Sequence, residues 1–563
     1  MVSCNLGQST RSIYLALACL SLALHLVIAF FCLSVLQNAC VPPASSSSSP
    51  CVPRADAERR QSVSHSSSSP AASSSNKPPA SPRNEERRGR PANTLHHKER
   101  GSFSEVTQKA KRPAEAQRVK GHSRLEALFK HPLYNLPRPE PQEDDWLLRV
   151  KKDEETRDEG SEEEEEERGQ DHDASNSYDK VSWTSDVETH PPWLRFHLGI
   201  SRWELYDRKD PNLYQYIFNA LSVSTSFSVQ KTGGTQLKLL MSFPNYGQAL
   251  LKPMKQSRDA ETDVNLFYFS DFERHNAEIS AFHLDRLLGF NRIPPTVGRL
   301  INVTTEIREI TTDDRLSRTF FTSPAGNVCF YGQCEYYCST EHPVCGRPHM
   351  LEVSLATMLP DLSLAPRRSW RSPWRRSYSR TKRTQWEKDP AYCDTVKQTP
   401  PYSHGTRLVD LIDMAVLDFL MSNMDRHHYE TFEKFGNETF LLHLDNGRAF
   451  GRHSQDEPSI LMPLKQCCRS FKVQYLDTLS LYCRIRRSTL LRLQLLSLPD
   501  FRLSDVMRES LAQDPLADVA PLLSEPHLSA LDRRLKKVLK VIATCQDSHA
   551  DVIYNDLVGN YED

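Results

Sequence analysis

The sequence has almost no net charge, because 71 Lys and Arg residues face 72 Asp and Glu residues and leave a formal net charge of −1. This balance argues neither for nor against binding to nucleic acid, so local charge must decide. The H-E-x-x-H spacing of zinc hydrolases is absent. The cysteine spacing C-x4-C-x3-C-x6-C from Cys329 to Cys345 also matches no standard zinc site.

Residues 37–185 have few apolar side chains. Tracts such as SSSSPAASSS are followed by the acidic run DEETRDEGSEEEEEERGQDHD at 153–173. Such segments bury too little apolar surface to offset the entropy cost of ordering the chain. We predict a disordered Ser-rich and acidic stem or propeptide over 37–185, in which the acidic run is a solvated tail rather than a calcium site.

The first long apolar run, Ser12–Leu36, is long enough to cross roughly 30 Å of hydrocarbon as a helix. It is longer than the apolar region of about 7–15 residues in a cleaved signal peptide. Arg11 precedes the run and the next basic residue is Arg54, which places the N-terminus in the cytoplasm. We predict a cytoplasmic N-terminus and signal anchor over 1–36, with a cleaved signal peptide as the alternative.

Cysteines and glycosylation sequons agree with entry into the secretory pathway. Nine of the 14 cysteines lie beyond residue 328, and a lumenal chain favours disulfides. The sequons NVT at Asn302 and NET at Asn437 are then candidate glycosylation sites.

The patterned part of the sequence predicts an α+β order of strands followed mostly by helices. Thr235–Phe243 and Gly247–Met254 predict two strands joined by a Pro-Asn turn. Asp271–Gly289 predicts a helix that begins at the aspartate and stops at the glycine. RLVDLIDMAVLDFLMSN has apolar residues at i, i+3, i+4 spacing and predicts a long amphipathic helix. The short apolar run TFLLHL predicts a strand that leads to Asp445 and the turn DNG.

Two aspartates follow apolar segments in the order used by protein kinases. Asp425 comes after the long helix, and Asp445 comes about twenty residues later. In kinases one such Asp accepts the proton of the substrate hydroxyl and a second holds the metal that bridges the phosphates. Lys252 on the second strand and Glu273 on the next helix, with Glu278 further along, match the kinase Lys–Glu ion pair. The turn KTGGTQ precedes them and its glycines would let the backbone approach phosphates. Each residue alone is more often structural, but their order favours phosphoryl transfer.

Two further interpretations of the charged residues remain. A zinc hydrolase would use His427, His428, His443 and Glu430, but adjacent histidines point in different directions on a helix or a strand. The basic run at 367–383, RRSWRSPWRRSYSRTKR, would suggest RNA in a cytosolic chain. In a lumenal chain it is a solvated insert or an electrostatic guide for acidic substrates.

Long motifs across 191–545 closely resemble the Golgi casein kinases, the secretory-pathway protein kinases of family with sequence similarity 20. They are FPNYGQALLKPMKQ, FERHNAEISAFHLDR, CFYGQCEYYCSTEH, NMDRHHYETFEKFGNETF and HLDNGR. The resemblance implies an atypical two-lobed protein-kinase-like fold, stabilised by disulfides. We place the N-lobe with its insert at 186–355, the C-lobe at 356–550 and a tail at 551–563.

The resemblance also implies an activity, its cofactors and its site residues. The activity is phosphorylation of Ser in Ser-x-Glu motifs of secreted proteins, with ATP and with Mn²⁺ preferred over Mg²⁺. Asp425 is the implied catalytic residue, and Glu273 and Asp445 are the implied metal ligands. The residues implied to contact ATP are Gln236, Lys252, Glu273, Ala356, Thr357, Met358, Leu359, Glu430 and Asp445. The implied disulfides are Cys329–Cys345, Cys334–Cys338, Cys393–Cys467 and Cys468–Cys545.

Two members of the family keep the fold without this activity. One is a pseudokinase activator that has Gln at the position of Glu273, and the other phosphorylates xylose. Glu273 and the motif CSTEH favour an active protein kinase. One segment departs from the family pattern: Ser470–Cys483 intervenes between KQCCR and RIRRST. Its Cys483 is an odd thiol that competes with Cys467 or Cys468 for partners.

The resemblance, together with the predicted anchor, implies an active serine kinase of the Golgi membrane and lumen with a released, secreted form, linked to biomineralisation. Its expected partners are secreted acidic phosphoproteins, the membrane through the anchor, and a related pseudokinase or a second copy, but not nucleic acid. Ser161 precedes the glutamate run in a Ser-x-Glu context and predicts self-phosphorylation. The alternatives are a catalytically weak activator of a related kinase and a calcium-binding matrix protein.

Overall fold

The computed structural model describes residues 123–137, 140–148, 190–210, 213, 226–229, 234–263, 265–437, 439–468, 485–548 and 552–557. All of them belong to one compact unit, residues 111–563. The following predictions lie outside the described residues: the anchor at 1–36, the acidic run at 153–173 with Ser161, the insert Ser470–Cys483 and most of the tail at 551–563. The described part of the chain has no helix long and apolar enough to cross a bilayer.

The described helices and strands are numbered here in chain order. The α-helices are α1 (Arg124–Lys130), α2 (Pro192–Leu198), α3 (His275–Leu287), α4 (Asp314–Ser317), α5 (Gln385–Lys388), α6 (Tyr392–Lys397), α7 (Arg407–Met421), α8 (Met462–Cys467), α9 (Arg487–Leu495), α10 (Leu503–Leu511) and α11 (Glu525–Ser548). The strands are β1 (Ser226–Val229), β2 (Leu239–Ser242), β3 (Gln248–Pro253), β4 (Thr296–Asn302), β5 (Phe321–Thr322), β6 (Val328–Phe330), β7 (Val344–Cys345), β8 (Met350–Thr357), β9 (Arg367–Arg371), β10 (His428–Phe432), β11 (Ile485–Arg486) and β12 (Ile553–Tyr554).

The N-lobe contains an antiparallel sheet in the order β1-β2-β3-β8-β4. The two predicted strands are present as β2 and β3, each shorter than predicted, and the turn between them contains Pro244 and Asn245. β3 places Lys252 opposite Ser354 on β8, and β8 continues to Thr357, past the predicted lobe boundary at 355. Helix α3 packs across β8 and β4, so the sheet and α3 meet where Lys252 lies.

Helix α3 begins later than predicted. Asp271 does not start it, because one of its carboxylate oxygens pairs with Arg274 at 2.7 Å and the other accepts the N–H of Phe272 at 2.9 Å. The helix begins at His275, so Glu273 lies just before the helix and not on it. Gly289, with φ of 70°, follows the last turn as predicted.

The C-lobe is built around α7, which confirms the predicted long helix. All fifteen of its residues are buried, so it is a core helix rather than a surface one. Its buried acids are compensated by ion pairs, with Asp413 held by Arg486 at 2.5 Å and Asp418 held by Arg426 at 3.0 Å. The helix ends at Met421, and the next residue, Ser422, has φ of 57° and turns the chain toward Asp425.

The predicted strand TFLLHL is wrong. Leu441 and Leu442 are buried, but this segment makes a single antiparallel bridge, between Leu442 and Glu430. The strand in this region is β10, which pairs antiparallel with β9. Since β9 is Arg367–Arg371, part of the basic run is a paired strand, whose side chains at Arg368, Ser369 and Arg371 are exposed.

The prediction of a disordered stem is wrong for residues 123–137 and 140–148. Ser123 caps α1, and Leu125 and Leu128 on one face of α1 are buried in the main core. The backbone N–H of Leu125 donates to Glu509 of α10 at 3.0 Å. A short helix such as α1 gains its stability from this tertiary packing, which the polar composition around it conceals.

Four disulfides are present in the described residues, and they are the same pairs that the family resemblance implies: Cys329–Cys345, Cys334–Cys338, Cys393–Cys467 and Cys468–Cys545. Cys467 and Cys468, at the end of α8, therefore have the partners that the resemblance implies, although the insert with its additional Cys483 follows them closely in the sequence. The fold is α+β and two-lobed, as predicted.

Candidate active site

Lys252 lies at the centre of a cluster of three carboxylates. Its Nζ is 2.5 Å from Glu278 Oε1, 2.6 Å from Asp445 Oδ1 and 2.9 Å from Glu273 Oε2. Strand β3 supplies the lysine, α3 and the turn before it supply the glutamates, and the loop after Leu442 supplies Asp445. The predicted Lys–Glu pair is therefore present with two glutamates, of which Glu278 is the one on the helix.

The charges in this cluster shift one another's pKa. Burial alone would lower the pKa of Lys252, but Asp445, Glu273 and Glu278 outweigh it and hold the pKa well above its ordinary value. The charge of Lys252 holds the pKa of Asp445 well below its usual range. The Lys252 and glutamate side chains are about nine-tenths buried, whereas 51% of the Asp445 side chain is exposed. Asp445 is thus the solvent-exposed member of a cluster whose other side chains are buried, and its backbone has φ of 60°.

The donor set suits a divalent cation. Glu273, Glu278 and Asp445 each offer one carboxylate oxygen, and these atoms lie within 4.8 Å of one another. Carboxylate oxygens are the ligands that Mg²⁺ and Mn²⁺ prefer. The predicted ligands Glu273 and Asp445 are brought together, and Glu278 is an additional donor beside them.

Asp425, the second predicted aspartate, lies in a separate set of contacts. Its Oδ2 accepts from Arg448 Nη1, and its backbone N–H donates to Asn423 Oδ1 at 3.0 Å. Arg448 also donates to Thr235 Oγ1 at 2.9 Å and to the Asp271 carbonyl at 3.3 Å. A single guanidinium therefore links the C-lobe carboxylate to the N-lobe turn that contains the predicted glycines.

The remaining residues implied to contact ATP lie before β2, at the end of β8 and just after it, and on β10. Gln236 is buried and donates to the Asp271 carbonyl at 3.4 Å. Ala356 and Thr357 end β8, and the Met358 carbonyl accepts from His197 Nε2 at 2.8 Å. Glu430 on β10 accepts from Arg367 Nε at 3.0 Å, and Arg367 also donates to the Pro360 carbonyl at 2.9 Å. Leu359, next to Pro360, is half-buried.

The conspicuous histidines do not form a shared metal site. His427 Nδ1 hydrogen-bonds to the Asp425 carbonyl at 2.7 Å, and hydrogen bonding to Asp425 raises its pKa. His428 is exposed on β10. His443 is buried against Asp285 at 3.2 Å, where burial lowers its pKa well below the ordinary value. Among the described residues, the group with Glu273, Glu278 and Asp445 is the only one of its kind.

The two candidate glycosylation sites differ in exposure. Asn437 is exposed. Asn302 is half-buried, and its Oδ1 accepts the N–H of Thr304 at 3.0 Å. Their glycosylation stays a prediction.

Comparison with known proteins relates this geometry to a family. The sequence profile described as "Golgi casein kinase, C-terminal, Fam20" matches residues 191–482 and 471–552. The chain belongs to the Fam20 family. The two matched segments overlap at 471–482, inside the insert Ser470–Cys483, so the insert is where the continuous match to Fam20 is interrupted.

Curated Fam20 relatives include proteins with different activities. The human "Extracellular serine/threonine protein kinase FAM20C" is 52% identical over 438 residues, which are 77% of this chain and 71% of that protein. The human "Pseudokinase FAM20A" is 46% identical over 460 residues, 78% of this chain and 81% of that protein. The human "Glycosaminoglycan xylosylkinase" is 43% identical over 314 residues, 56% of this chain and 70% of that protein.

Solved structures of the family have the same fold. The crystal structure of the Golgi casein kinase with Mn and ADP bound matches with a TM-score of 0.60 and 42% identity, over 66% of this chain and 85% of that one. The structure of hydra Fam20 with sugar matches with a TM-score of 0.59 and 37% identity, over 66% of this chain and 99% of that one.

Sequence reasoning missed two arginines of the Fam20 site. Arg448 holds Asp425, and Arg426 donates to Asn446 Oδ1 at 2.6 Å as well as to Asp418. Both arginines are adjacent to the motifs that carry the aspartates, in DRHH and DNGR. That proximity in the sequence was the available signal, but it does not specify which oxygen each guanidinium contacts.

Proposed function

We propose that this Fam20 member is a secretory-pathway serine/threonine protein kinase that transfers the γ-phosphate of ATP to Ser in Ser-x-Glu motifs of secreted and matrix proteins. The observation that carries the proposal is the cluster of Lys252 with Glu273, Glu278 and Asp445. In the sequence, Asp425 lies twenty residues before Asp445 and Arg448 lies three residues after it. Phosphoryl transfer needs little beyond positioning, charge neutralisation and an oriented acceptor for the hydroxyl proton.

Each residue has a role in this proposal. Asp425 accepts the proton of the substrate hydroxyl, and Arg448 orients its carboxylate. Glu273 and Asp445 hold the divalent cation, for which Mn²⁺ is favoured, while Lys252 binds nucleotide phosphate and Glu278 positions the lysine. The cation, when bound, neutralises the charge that develops on the phosphate oxygens. Gln236, Glu430 and the stretch from Ala356 to Leu359 contact the nucleotide.

The pseudokinase alternative has to be weighed, because a pseudokinase relative is 46% identical to this chain. Overall similarity therefore does not separate the two activities. The family resemblance associates the pseudokinase with Gln at the position of Glu273. A carboxylate is present here, 2.9 Å from Lys252 and within reach of Asp445. The charged ligand set supports an active kinase.

The test is ATP- and Mn²⁺-dependent incorporation of phosphate into a Ser-x-Glu peptide. We expect wild type and Asp259→Ala, an exposed N-lobe carboxylate outside the site, to be active, and Asp425→Ala and Asp445→Ala to lose at least about a hundredfold in kcat. An Asp445→Ala variant with wild-type incorporation would refute the site assignment. A chain that has no turnover but stimulates a related kinase would support the activator.

We extend the proposal to the cellular localisation of the enzyme. Residues 1–36 act as a signal anchor in the Golgi membrane, and cleavage in the stem releases a secreted form with a role in biomineralisation. A related pseudokinase or a second copy is the partner, and Asn302 and Asn437 carry glycans. Immunofluorescence with a Golgi marker tests the localisation, and N-terminal sequencing of secreted protein tests the cleavage. Deletion of residues 153–173 tests the alternative of a calcium-binding matrix protein. That alternative requires the deletion to abolish the biological function of the protein while kinase activity stays unchanged.

A further inference from the structure

A cavity of about 310 Å³ opens beside Asp425, and part of its lining comes from the basic run. Four of its cations come from one short segment: Arg376, Arg380, Lys382 and Arg383. We call these four residues the basic wall. The candidate proton acceptor and the basic wall therefore share one cavity, although at least forty residues of sequence separate them.

The carboxylates that line this cavity are already engaged. Asp425 is held by Arg448, and Asp271 is paired with Arg274 at 2.7 Å. Glu387 accepts from the backbone N–H of Thr384 at 2.6 Å and from its hydroxyl at 2.8 Å. Glu387 interacts with Arg376 electrostatically, but none of these acids forms a salt bridge with a described residue of the basic wall.

The basic wall has no salt bridge to any carboxylate of the described residues. Arg376 is half-buried, donates to Ser459 Oγ at 2.5 Å and lies 5.7 Å from the centre of the Trp386 ring. Its connection to Glu457 runs through the Ser459 hydroxyl. Arg380 donates to the Asn265 carbonyl at 3.0 Å. A half-buried guanidinium without a carboxylate is costly, and a bound anion would remove that cost.

Aromatic side chains frame the cavity around the basic wall. Tyr268 and Tyr378 are stacked with 6.2 Å between ring centres, and Tyr268 OH donates to the Ser377 carbonyl at 3.3 Å. The ring of His427 lies 5.9 Å from that of Tyr378. These contacts pack the segment that contains Arg376 and Arg380 against the loop that carries Asp425, whereas the side chains of Lys382 and Arg383 are exposed.

We infer that the basic wall is the specificity-determining subsite for the acidic side chain two residues after the target serine, with Arg376 as its main contact. In an extended peptide, alternate side chains point to the same face and lie about 7 Å apart. A peptide whose serine meets Asp425 would direct its second following residue into the same cavity. An arginine pairs with a carboxylate through two parallel hydrogen bonds. This inference rests on the proposed function and adds to it the residues that recognise the substrate.

The experiment compares kcat/KM of the full chain on three peptides that differ only at the second residue after Ser: Glu, Gln and Lys. We expect wild type to prefer Glu over Gln by about tenfold to a hundredfold, the range of one charge-assisted hydrogen bond. Arg376→Gln should remove most of that preference. Lys382→Glu/Arg383→Glu, a change confined to exposed side chains, should instead gain activity on the Lys peptide, which a damaged fold would not produce.

The matched control is Arg371→Gln/Arg375→Gln, which removes two exposed charges of the same basic run outside the cavity. It should keep the wild-type preference. An equal loss of preference in this control would show diffuse charge steering and overturn the inference, as would unchanged preference in both cavity variants. Wild type without turnover on any peptide would instead refute the proposed function itself.

Discussion

The charge balance around Lys252 leads to a prediction about the variant Lys252→Met. Removal of the lysine leaves three carboxylates with oxygens within 4.8 Å of one another. At that separation each pair of charges repels by about 3.5 kcal/mol at an effective dielectric constant of about 20. One carboxyl group would escape the repulsion by taking up a proton, and a pKa raised from about 4 to about 7 costs about 4 kcal/mol.

That proton uptake limits the expected loss of stability in Lys252→Met. Because half of the Asp445 side chain is exposed to solvent, we expect a loss of about 2–4 kcal/mol rather than the full sum of the repulsions. For a domain of this size the loss lowers Tm by about 3–5 °C. Calorimetry in EDTA at pH 7 measures it. Lys238→Met is the matched control, since Lys238 Nζ lies 3.8 Å from Asp445 and the three closer pairs of Lys252 remain.

Mn²⁺ and pH should change the stability of the variant differently from that of wild type. Without the competing ammonium, saturating Mn²⁺ should restore about 3 kcal/mol to the variant at a hundred times the dissociation constant, and much less to nucleotide-free wild type. The depressed pKa of Asp445 stabilises wild type above pH about 4, and this contribution is lost on acidification. In the variant, acidification from pH 7 to 5 protonates a repelled carboxyl and should narrow the difference in Tm. Equal responses of both proteins to Mn²⁺ and pH would refute this account of the cluster.

Three further predictions concern other parts of the fold. Gly298→Ala places a Cβ 2.5 Å from Leu516 and should lower the free energy of unfolding in urea by about 1–3 kcal/mol. Gly326→Ala is the comparison, because no described atom lies within 4 Å of its Cβ and only its φ of 81° should cost about 1 kcal/mol. Equal urea midpoints for the two variants would contradict the steric argument. Burial lowers the pKa of His197 to about 4, so wild type should lose about 3 kcal/mol as the pH falls from about 6.5 to 4, and His197→Gln should flatten that part of the pH–stability curve. Replacing the Cys468–Cys545 pair by serines opens a loop of 77 residues and should lower the free energy of unfolding by about 4 kcal/mol. Replacing Cys334–Cys338, whose cysteines are only 4 residues apart, should lower it by about 2 kcal/mol. Similar losses of stability in the two variants would contradict the loop-entropy explanation.

The order of the site residues could be predicted from the sequence because each has a local signal. Asp425 follows a helix with clear 3.6-residue periodicity, and Lys252 lies in an apolar strand pattern. The geometry around Lys252 could not be predicted in the same way. Both Glu273 and Glu278 contact Lys252, because α3 begins only at His275 and Glu273 lies in the turn before it, and the sequence pattern does not predict that start.

The errors in the secondary-structure prediction have one physical cause. TFLLHL is apolar because it is buried, and burial alone does not distinguish a strand from an irregular core segment. Strand β10 forms because β9, some sixty residues earlier, supplies its hydrogen-bonding partner. Helix α1 forms against α10, almost 380 residues later. Such long-range pairings leave no local pattern in the segments that they order.

The contacts of Glu278 show that the position of the loop that carries Asp445 depends on the N-lobe. Its Oε1 accepts from Lys252 of β3 and also from the backbone N–H of Asn446, the residue after Asp445, at 3.1 Å. Arg448, two residues further on, joins Asp425 to Thr235 in the N-lobe. The backbone that carries Asp445 is therefore held from α3 on one side and from the turn before β2 on the other. A shift of one lobe against the other would therefore separate Asp445 from Lys252 and Arg448 from Thr235 together, so the ion pairs and hydrogen bonds of the site depend on the relative position of the two lobes.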